Sequence, residues 1–265
     1  MAIKILENLK TVDDKEVIAR CREVDKSPMV RGVILDCRQL YFNRYSDLRV
    51  ISRTGVGTDN IDFEKCKERD IKVYTAPCNE LTAAVAEHTM MLIYNILRKS
   101  AKGRNLGGMK VCVIGCGRIG TEVYERLELS GCEVHGIDKE YHGGKKSDPV
   151  EQWGLEDSDI VTIHVSGNEQ VIGGGELKLM KKGSYLINTA RAGCVDACAV
   201  AKALGRGKLA GFASDVNSPT HFCKNSIAGK VVLTSHNAGN TVEARTAVER
   251  LAVENLIKGL KGAKE

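Results

Sequence analysis

The stretch that decides the fold is Val111-Cys-Val-Ile-Gly-Cys-Gly-Arg-Ile-Gly120. Its first four residues form a short apolar run of the kind that makes a strand buried on both faces. Gly115-x-Gly117-x-x-Gly120 follows without a gap and opens a segment with helical spacing of apolar residues, Gly120 to Leu129. Such a glycine pattern arises often by chance, and the strand before it and helix after it are what give it mechanical meaning. Gly115 permits a tight turn, Gly117 leaves room for a pyrophosphate beside the backbone, and Gly120 lets helix and strand pack closely. The pyrophosphate would rest on the unpaired N–H groups of the helix N-terminus, with Arg118 as a nearby cation and Ile119 in the same turn. The next strand, Glu133-Val-His-Gly-Ile137, ends in Asp138, 18 residues beyond Gly120. A carboxylate there accepts ribose hydroxyls and repels a 2′-phosphate, which points to NAD in preference to NADP. Lys139 beside it works against that exclusion.

Outward from this unit, two patterns alternate. Short β-branched runs predict parallel strands at Val30–Leu35, Arg49–Ser52, Ile71–Tyr74, Ile160–His164, Tyr185–Asn188, Gly211–Val216 and Val231–Thr234. Between them, helical spacing falls on Asp13–Cys21, Phe63–Arg69, Thr82–Leu97, Gly175–Met180, Ala197–Leu204 and Val242–Leu260. This alternation is the mark of an α/β protein. Thr82–Leu97 is apolar on most sides and precedes a polar, glycine-containing break from Arg98 to Gly108, so the main boundary is expected there. Residues 1–80 and 243–265 are expected to form a substrate domain, 81–108 an interdomain helix and linker, and 109–242 the nucleotide-binding domain.

A net charge of +5 is spread along the 265 residues, thickening only at Lys258, Lys261 and Lys264. A nucleic-acid surface needs a clustered basic face, so no nucleic-acid partner is expected. The apolar start ends at Leu6, too soon for a signal peptide, and no run reaches the 18 apolar residues of a membrane span. A cytoplasmic protein without membrane partners is the expectation. Ten cysteines invite a metal or disulfide reading, but no Cys-x-x-Cys pair occurs. They are read as buried or incidental thiols, and no metal site is expected.

Six segments together resemble the D-isomer-specific 2-hydroxyacid dehydrogenases, most of all their 3-phosphoglycerate dehydrogenase branch. They are Arg53–Asp62, Val85–His88, the glycine loop, Gly183–Arg191, Gly211–Val216 and Thr234–Gly239. The resemblance implies a Rossmann-type NAD-binding domain and a smaller flavodoxin-like substrate domain, split between the N-terminal segment and the last helix. It implies that Arg191 anchors the substrate carboxylate and that His236 exchanges the proton. Those residue types suit the roles, since a guanidinium binds a carboxylate in two-pronged fashion and an imidazole titrates near neutral pH. By the same resemblance, amides around Gly55-Val56-Gly57 form a nest for the substrate carboxylate, and Arg53 matches a family substrate-binding arginine. Val165, Thr189, Asp215, Gly239 and Val56 fall at cofactor-contacting positions. His88, in a buried helix, is read as structural.

Four departures stand out. The family has a glutamate five residues after the aspartate at 215, paired with the catalytic histidine, and this chain has Thr220. Asp36 stands where the phosphoglycerate branch has an arginine, with Arg38 two residues on, which puts a phosphorylated substrate in question. The segment from Arg98 to Met109 is shorter than the family's dimerisation arm, so a homodimer stays open. The loop after His164 is also shortened. The leading expectation is an NAD-dependent oxidoreductase acting on a small 2-hydroxy acid/2-oxo acid pair. The alternatives are a catalytically weak NAD(H)-binding regulator or assembly protein, or a dehydrogenase for an unusual acid such as a phosphonate.

Overall fold

The structure, a computed structural model, describes residues 3–5, 13–24, 30–36, 40–99, 103–138, 154–222 and 225–262. Arg38, Lys139 and Lys264 lie outside the described residues. The chain divides into two units, Met1–Leu81 with Asn240–Glu265, and Thr82–Gly239.

In the first unit, β1 (Ile3–Ile5), β2 (Gly32–Leu35), β3 (Val50–Arg53) and β4 (Lys72–Tyr74) form a parallel sheet in that order. The period of two along each strand decides which core a residue joins. Val33, Leu35 and Ile51 face one cluster, with Leu40, Phe42, Leu48 and Cys66, the last from α2 (Phe63–Glu68). Ile34 and Val50 face the other, beneath α1 (Asp14–Val24) and α8 (Val242–Gly262), where they meet Val17, Cys21, Ala252, Leu256 and Leu260. Helix α8 comes down tightly on the sheet. A Cβ at Gly259 would lie 2.7 Å from Val50, and one at Gly32 2.7 Å from Leu256. Ser52 Oγ also donates to the carbonyl of Ala252 at 2.7 Å, although they are far apart in sequence. Among the described residues this smaller parallel sheet runs in chain order, with α1 and α8 packed on the same side of it.

The second unit is a six-stranded parallel sheet in the order β10-β9-β8-β7-β5-β6. Its strands are β5 (Lys110–Ile114), β6 (Glu133–Ile137), β7 (Ile160–Ile163), β8 (Ser184–Asn188), β9 (Leu209–Ser214) and β10 (Val231–Leu233). The inner strands β5, β7, β8 and β9 are covered on both faces, which is why they read as near-continuous apolar runs, whereas the edge strand β6 is mostly exposed. On one face α5 (Gly174–Leu179) and α6 (Ala197–Gly205) pack Leu177, Val200 and Leu204 onto Ile114, Ile163, Leu186 and Phe212. On the other, α3 (Asn79–Lys99) and α4 (Arg118–Leu129) pack Leu92, Ile93, Ile96, Val123 and Leu127 onto Val111, Val113, Tyr185 and Ala213.

Strand order reverses between β5 and β7, whose neighbours continue in opposite directions. In open α/β sheets, ligands bind outside the carboxyl ends of the strands at this kind of crevice. Most boundaries shift by a residue or two from the sequence reading, and two of the shifts have a local cause. Strand β9 stops at Ser214 although Val216 continues the apolar pattern, because the Ser214 hydroxyl accepts the amides of Val216 and Asn217 and turns the chain out of the sheet. Helix α3 starts at Asn79, where Asn79 and Glu80 add no apolar signal and Glu80 suits the positive end of the dipole. The one-turn α7 (Asn225–Ala228) and the short β1 are too brief to show a period.

Candidate active site

The glycine loop lies at the crevice between β5 and β7. Gly115 has φ +92°, and a Cβ there would lie 2.7 Å from the main chain of His164 and Val165 at the end of β7. Gly120 is tighter still, since its Cβ would fall 1.8 Å from the carbonyl oxygen of Gly115. Gly117 differs from both. Its φ of −70° suits any residue, and no atom lies within 4 Å of where its Cβ would be. Neither backbone strain nor packing requires glycine there, so what remains is space for a bound group. Gly117 caps α4, with no side-chain cap and no acidic residue in the first turn. That open helix end, with Arg118 exposed beside it, fits a pyrophosphate. Asp138, just after β6, is held at the loop by the amide of Cys116, which donates to its Oδ2 at 2.7 Å. Ile119 and Val165 are half-buried around the loop.

The remaining expected groups also stand where strands end. Thr189 and Arg191 follow β8, Asp215 follows β9, and Thr234 and His236 follow β10. Arg191 is half-buried, and its Nη1 donates to the carbonyl of Ala190 at 2.8 Å. His236 is exposed and has φ +54°, one of two described non-glycine residues in the left-handed region. A residue held there against its β-carbon points to a functional constraint. Among the described residues the His236 imidazole makes no hydrogen bond or ion pair. Thr220 does not supply one, since its hydroxyl pairs with Ser218 Oγ at 2.7 Å in a short 3-10 turn.

Asp215 is 2% exposed. Burial alone would raise its pKa, but hydrogen bonds from His88, Thr234 and the amides of Ala238 and Asn237 hold it down to about 2. His88 was expected to be structural, and it reaches from α3 to Thr234 Oγ1 at 2.9 Å and to Asp215 Oδ1 at 3.4 Å. The neighbouring α3 residue, Thr89, meets Thr189 Oγ1 at 3.1 Å.

By its spacing His164 is the last residue of a strand, and in the structure it lies beside Thr189, with Nδ1 3.4 Å from Thr189 Oγ1 and Nε2 2.9 Å from Thr162 Oγ1. Donor bookkeeping fixes its tautomer. Thr89 donates to the carbonyl of Val85, so Thr189 donates to Thr89, and His164 Nδ1–H donates to Thr189. Nε2 then accepts from Thr162. Burial pushes the His164 pKa down to about 3, so the ring stays neutral at working pH. The signal for it was its place, directly after the strand that flanks the glycine loop.

In the first unit, Arg53 closes the loop that follows β3. Its Nε donates to the carbonyl of Gly57 at 3.0 Å and its Nη1 to that of Thr54 at 2.7 Å. The expected nest is smaller than Gly55–Gly57, because the amide of Gly55 (φ +147°) bonds the carbonyl of Arg53 within this turn. The amides of Val56 and Gly57 have no partner among the described residues, and Val56 is 50% exposed. Asp36 uses its carbonyl to accept Asn60 Nδ2 at 2.8 Å.

None of the eight described cysteines is in a disulfide. Burial pushes the thiol of Cys112 up to about 12 and that of Cys21 to about 11, so both behave as small apolar groups. No helix among the described residues is long and apolar enough to cross a membrane.

A parallel doubly wound sheet with a glycine loop at its switch point and polar groups on the adjacent strand ends defines a Rossmann-type nucleotide-binding unit. Residues 77–238 match the model of the D-isomer specific 2-hydroxyacid dehydrogenase, NAD binding domain. The chain belongs to that family, and its cofactor is NAD. It is 33% identical to a glyoxylate reductase of Thermofilum pendens, over 97% of this chain and 81% of that one. It is 32% identical to a D-3-phosphoglycerate dehydrogenase of Bacillus subtilis, over 83% of this chain and 47% of that one. The chain thus spans about half the length of such phosphoglycerate dehydrogenase relatives. The fold matches that of an NAD+-bound 3-phosphoglycerate dehydrogenase of Entamoeba histolytica with a TM-score of 0.82 at 21% identity, covering 97% and 95% of the two chains.

Proposed function

We propose that this protein is an NAD-dependent oxidoreductase that interconverts a small D-2-hydroxy acid and its 2-oxo acid. The observation that carries the reading is His236, an exposed imidazole held at positive φ on the same sheet edge as Arg191 and the glycine loop. NAD, when bound, supplies the hydride acceptor or donor. Arg191 holds the substrate carboxylate and polarises the 2-oxo group, since its charge persists at every working pH. His236 gives a proton to the carbonyl oxygen during reduction and takes it back from the hydroxyl during oxidation. The amides of Val56 and Gly57 offer a second place for a carboxylate in the first unit. Gly115, Gly117, Arg118, Ile119, Gly120, Asp138, Val165, Thr189 and Gly239 are assigned to the cofactor, and Asp138 favours NAD over NADP.

Asp36 in place of an arginine argues for an unphosphorylated substrate. Glyoxylate, hydroxypyruvate and pyruvate are therefore the first candidates, assayed with NADH and NADPH by absorbance. Consumption of NADH with at least one of them is expected, and faster than that of NADPH. NADH that binds but is never oxidised across a broad panel, phosphonates included, would instead support an NAD(H)-binding regulator. The unpaired imidazole of His236 is what favours that second reading. The family resemblance favours a homodimer, to be measured by light scattering, and a cytoplasmic location, to be measured by fractionation.

A further inference from the structure

Three consecutive main-chain amides converge on one distant residue. The N–H of His236 donates to the carbonyl of Asp215 at 2.8 Å, that of Asn237 to Asp215 Oδ1 at 3.1 Å, and that of Ala238 to Oδ2 at 2.9 Å. Thr234 Oγ1 donates to Oδ1 at 2.6 Å. The hydroxyl hydrogen of Thr234 is committed to a carboxylate that cannot donate, so its oxygen must accept from His88 Nε2–H at 2.9 Å. That nitrogen also lies 3.4 Å from Oδ1. An ionised carboxylate offers about four acceptor sites. Thr234 and Asn237 take two of them on Oδ1 and Ala238 a third on Oδ2, with His88 bonded to the Thr234 hydroxyl behind them.

We propose that Asp215, backed by Thr234 and His88, is a latch that holds the main chain of His236 in its left-handed conformation and thereby aims the imidazole, rather than a direct contact for the nicotinamide. The inference rests on the reading of His236 as the acid–base group. A left-handed non-glycine residue persists only where its surroundings over-determine it, and the bonds to Asp215 do so on both sides of the Cα of His236. The chain has Thr220 where the resemblance implies a carboxylate partner for the ring, and the Thr220 hydroxyl is bound to Ser218. Orientation through the main chain therefore carries more of the task here. His88, Thr234 and Asp215 are positioning residues in this scheme, and His236 alone handles the proton.

The test combines turnover, NADH affinity by fluorescence titration, and amide hydrogen exchange at residues 236–238 of the full chain. Asp215→Asn keeps one acceptor oxygen but sets an amino group against the Ala238 amide. Its kcat should fall about a hundredfold, the low end of what a misplaced acid–base group costs, with NADH affinity nearly unchanged. Exchange at 236–238 should quicken about tenfold, while amides within β5 and β8 keep their protection. Thr234→Val should lower kcat by about tenfold, the equivalent of one charged hydrogen bond. Thr234→Ser should restore it, and His88→Gln, which keeps a donor near the Nε2 position, should outperform His88→Ala.

A loss of NADH affinity that matches the loss of kcat, with exchange at 236–238 unaltered, would overturn the latch and leave Asp215 as a cofactor contact. If Asp215→Asn does not fold, the Thr234 pair decides: equal exchange and turnover in Thr234→Val and Thr234→Ser also overturns it. Should no 2-oxo acid be turned over by the wild type, the dehydrogenase reading fails, while the exchange data still judge the latch.

Discussion

Two turns at the carboxyl edge of the same sheet are built in opposite ways. The turn after β5 is made of missing side chains: at Gly115 and Gly120 a Cβ would strike the main chain, and at Gly117 the space where a Cβ would be stands open. The turn after β10 is made of side chains that arrive from far off, with Asp215 from β9 and His88 from α3. The difference follows from the tasks. A pyrophosphate is bound by main-chain N–H groups that a local turn can present unaided. A proton must be delivered to one atom along one direction, and a single exposed imidazole has no local means of holding its aim.

The contrast can be broken most forcefully at the glycines. Gly120→Ala places a Cβ on the Gly115 carbonyl, with no flexible side chain to yield. A loss of stability above about 3 kcal/mol, together with loss of NADH binding, is expected in thermal melts and titrations. Gly117→Ala should melt like the wild type and bind NADH about tenfold more weakly, a loss of about 1.4 kcal/mol. An unaltered affinity in Gly117→Ala would mean the pyrophosphate lies elsewhere. At the other turn, His236→Asn retains a residue that tolerates the left-handed region. It should fold and bind NADH normally while kcat drops by at least about a hundredfold.

A smaller effect sharpens the comparison through pH. The folded pKa of Asp215, about 2, lies below the ordinary carboxylate value of 3.8. Its contribution to stability is therefore complete above that ordinary value and is lost as pH falls through about 2. The contribution is on the order of 2 kcal/mol. Urea unfolding at pH 5, 4 and 3 should show the stability gap between wild type and Asp215→Asn narrowing as pH falls, and a constant gap would mean that this charge is not held by the turn. The smallest expected change is a gain. Thr220→Glu restores the carboxylate the family places near the ring, which favours the protonated imidazole. Reduction should then persist to higher pH, with kcat up by no more than about tenfold. A profile identical to the wild type would mean that residue 220 does not face His236.

Much of this was legible in the residues. The glycine loop and Asp138 announced a dinucleotide site because each duty falls to a residue type at a fixed local spacing. The inner strands of the large sheet were legible because they are buried on both faces and so read as apolar runs. Less legible was the outcome of local polar competition, as at Ser214, where a hydroxyl ends a strand that apolar pattern would prolong. His164 looked like the end of a strand and His88 like a core histidine. Their roles depend on partners such as Thr189 and Thr234, which no spacing rule connects to them.

The sequence by itself determined an α/β chain with a Rossmann-type glycine loop, and it offered Asp138, His236 and Arg191 as the groups to test. Only the tertiary structure decided how those groups are held. It brought Asp215, Thr234 and His88 onto one turn, fixed the neutral tautomer of His164, gave the Gly55 amide to Arg53, and ran the smaller sheet in simple chain order. The physical reason is range. Turn and capping chemistry acts within a few residues and leaves its mark in a short motif, whereas hydrogen-bond networks join residues whose separation along the chain carries no signal.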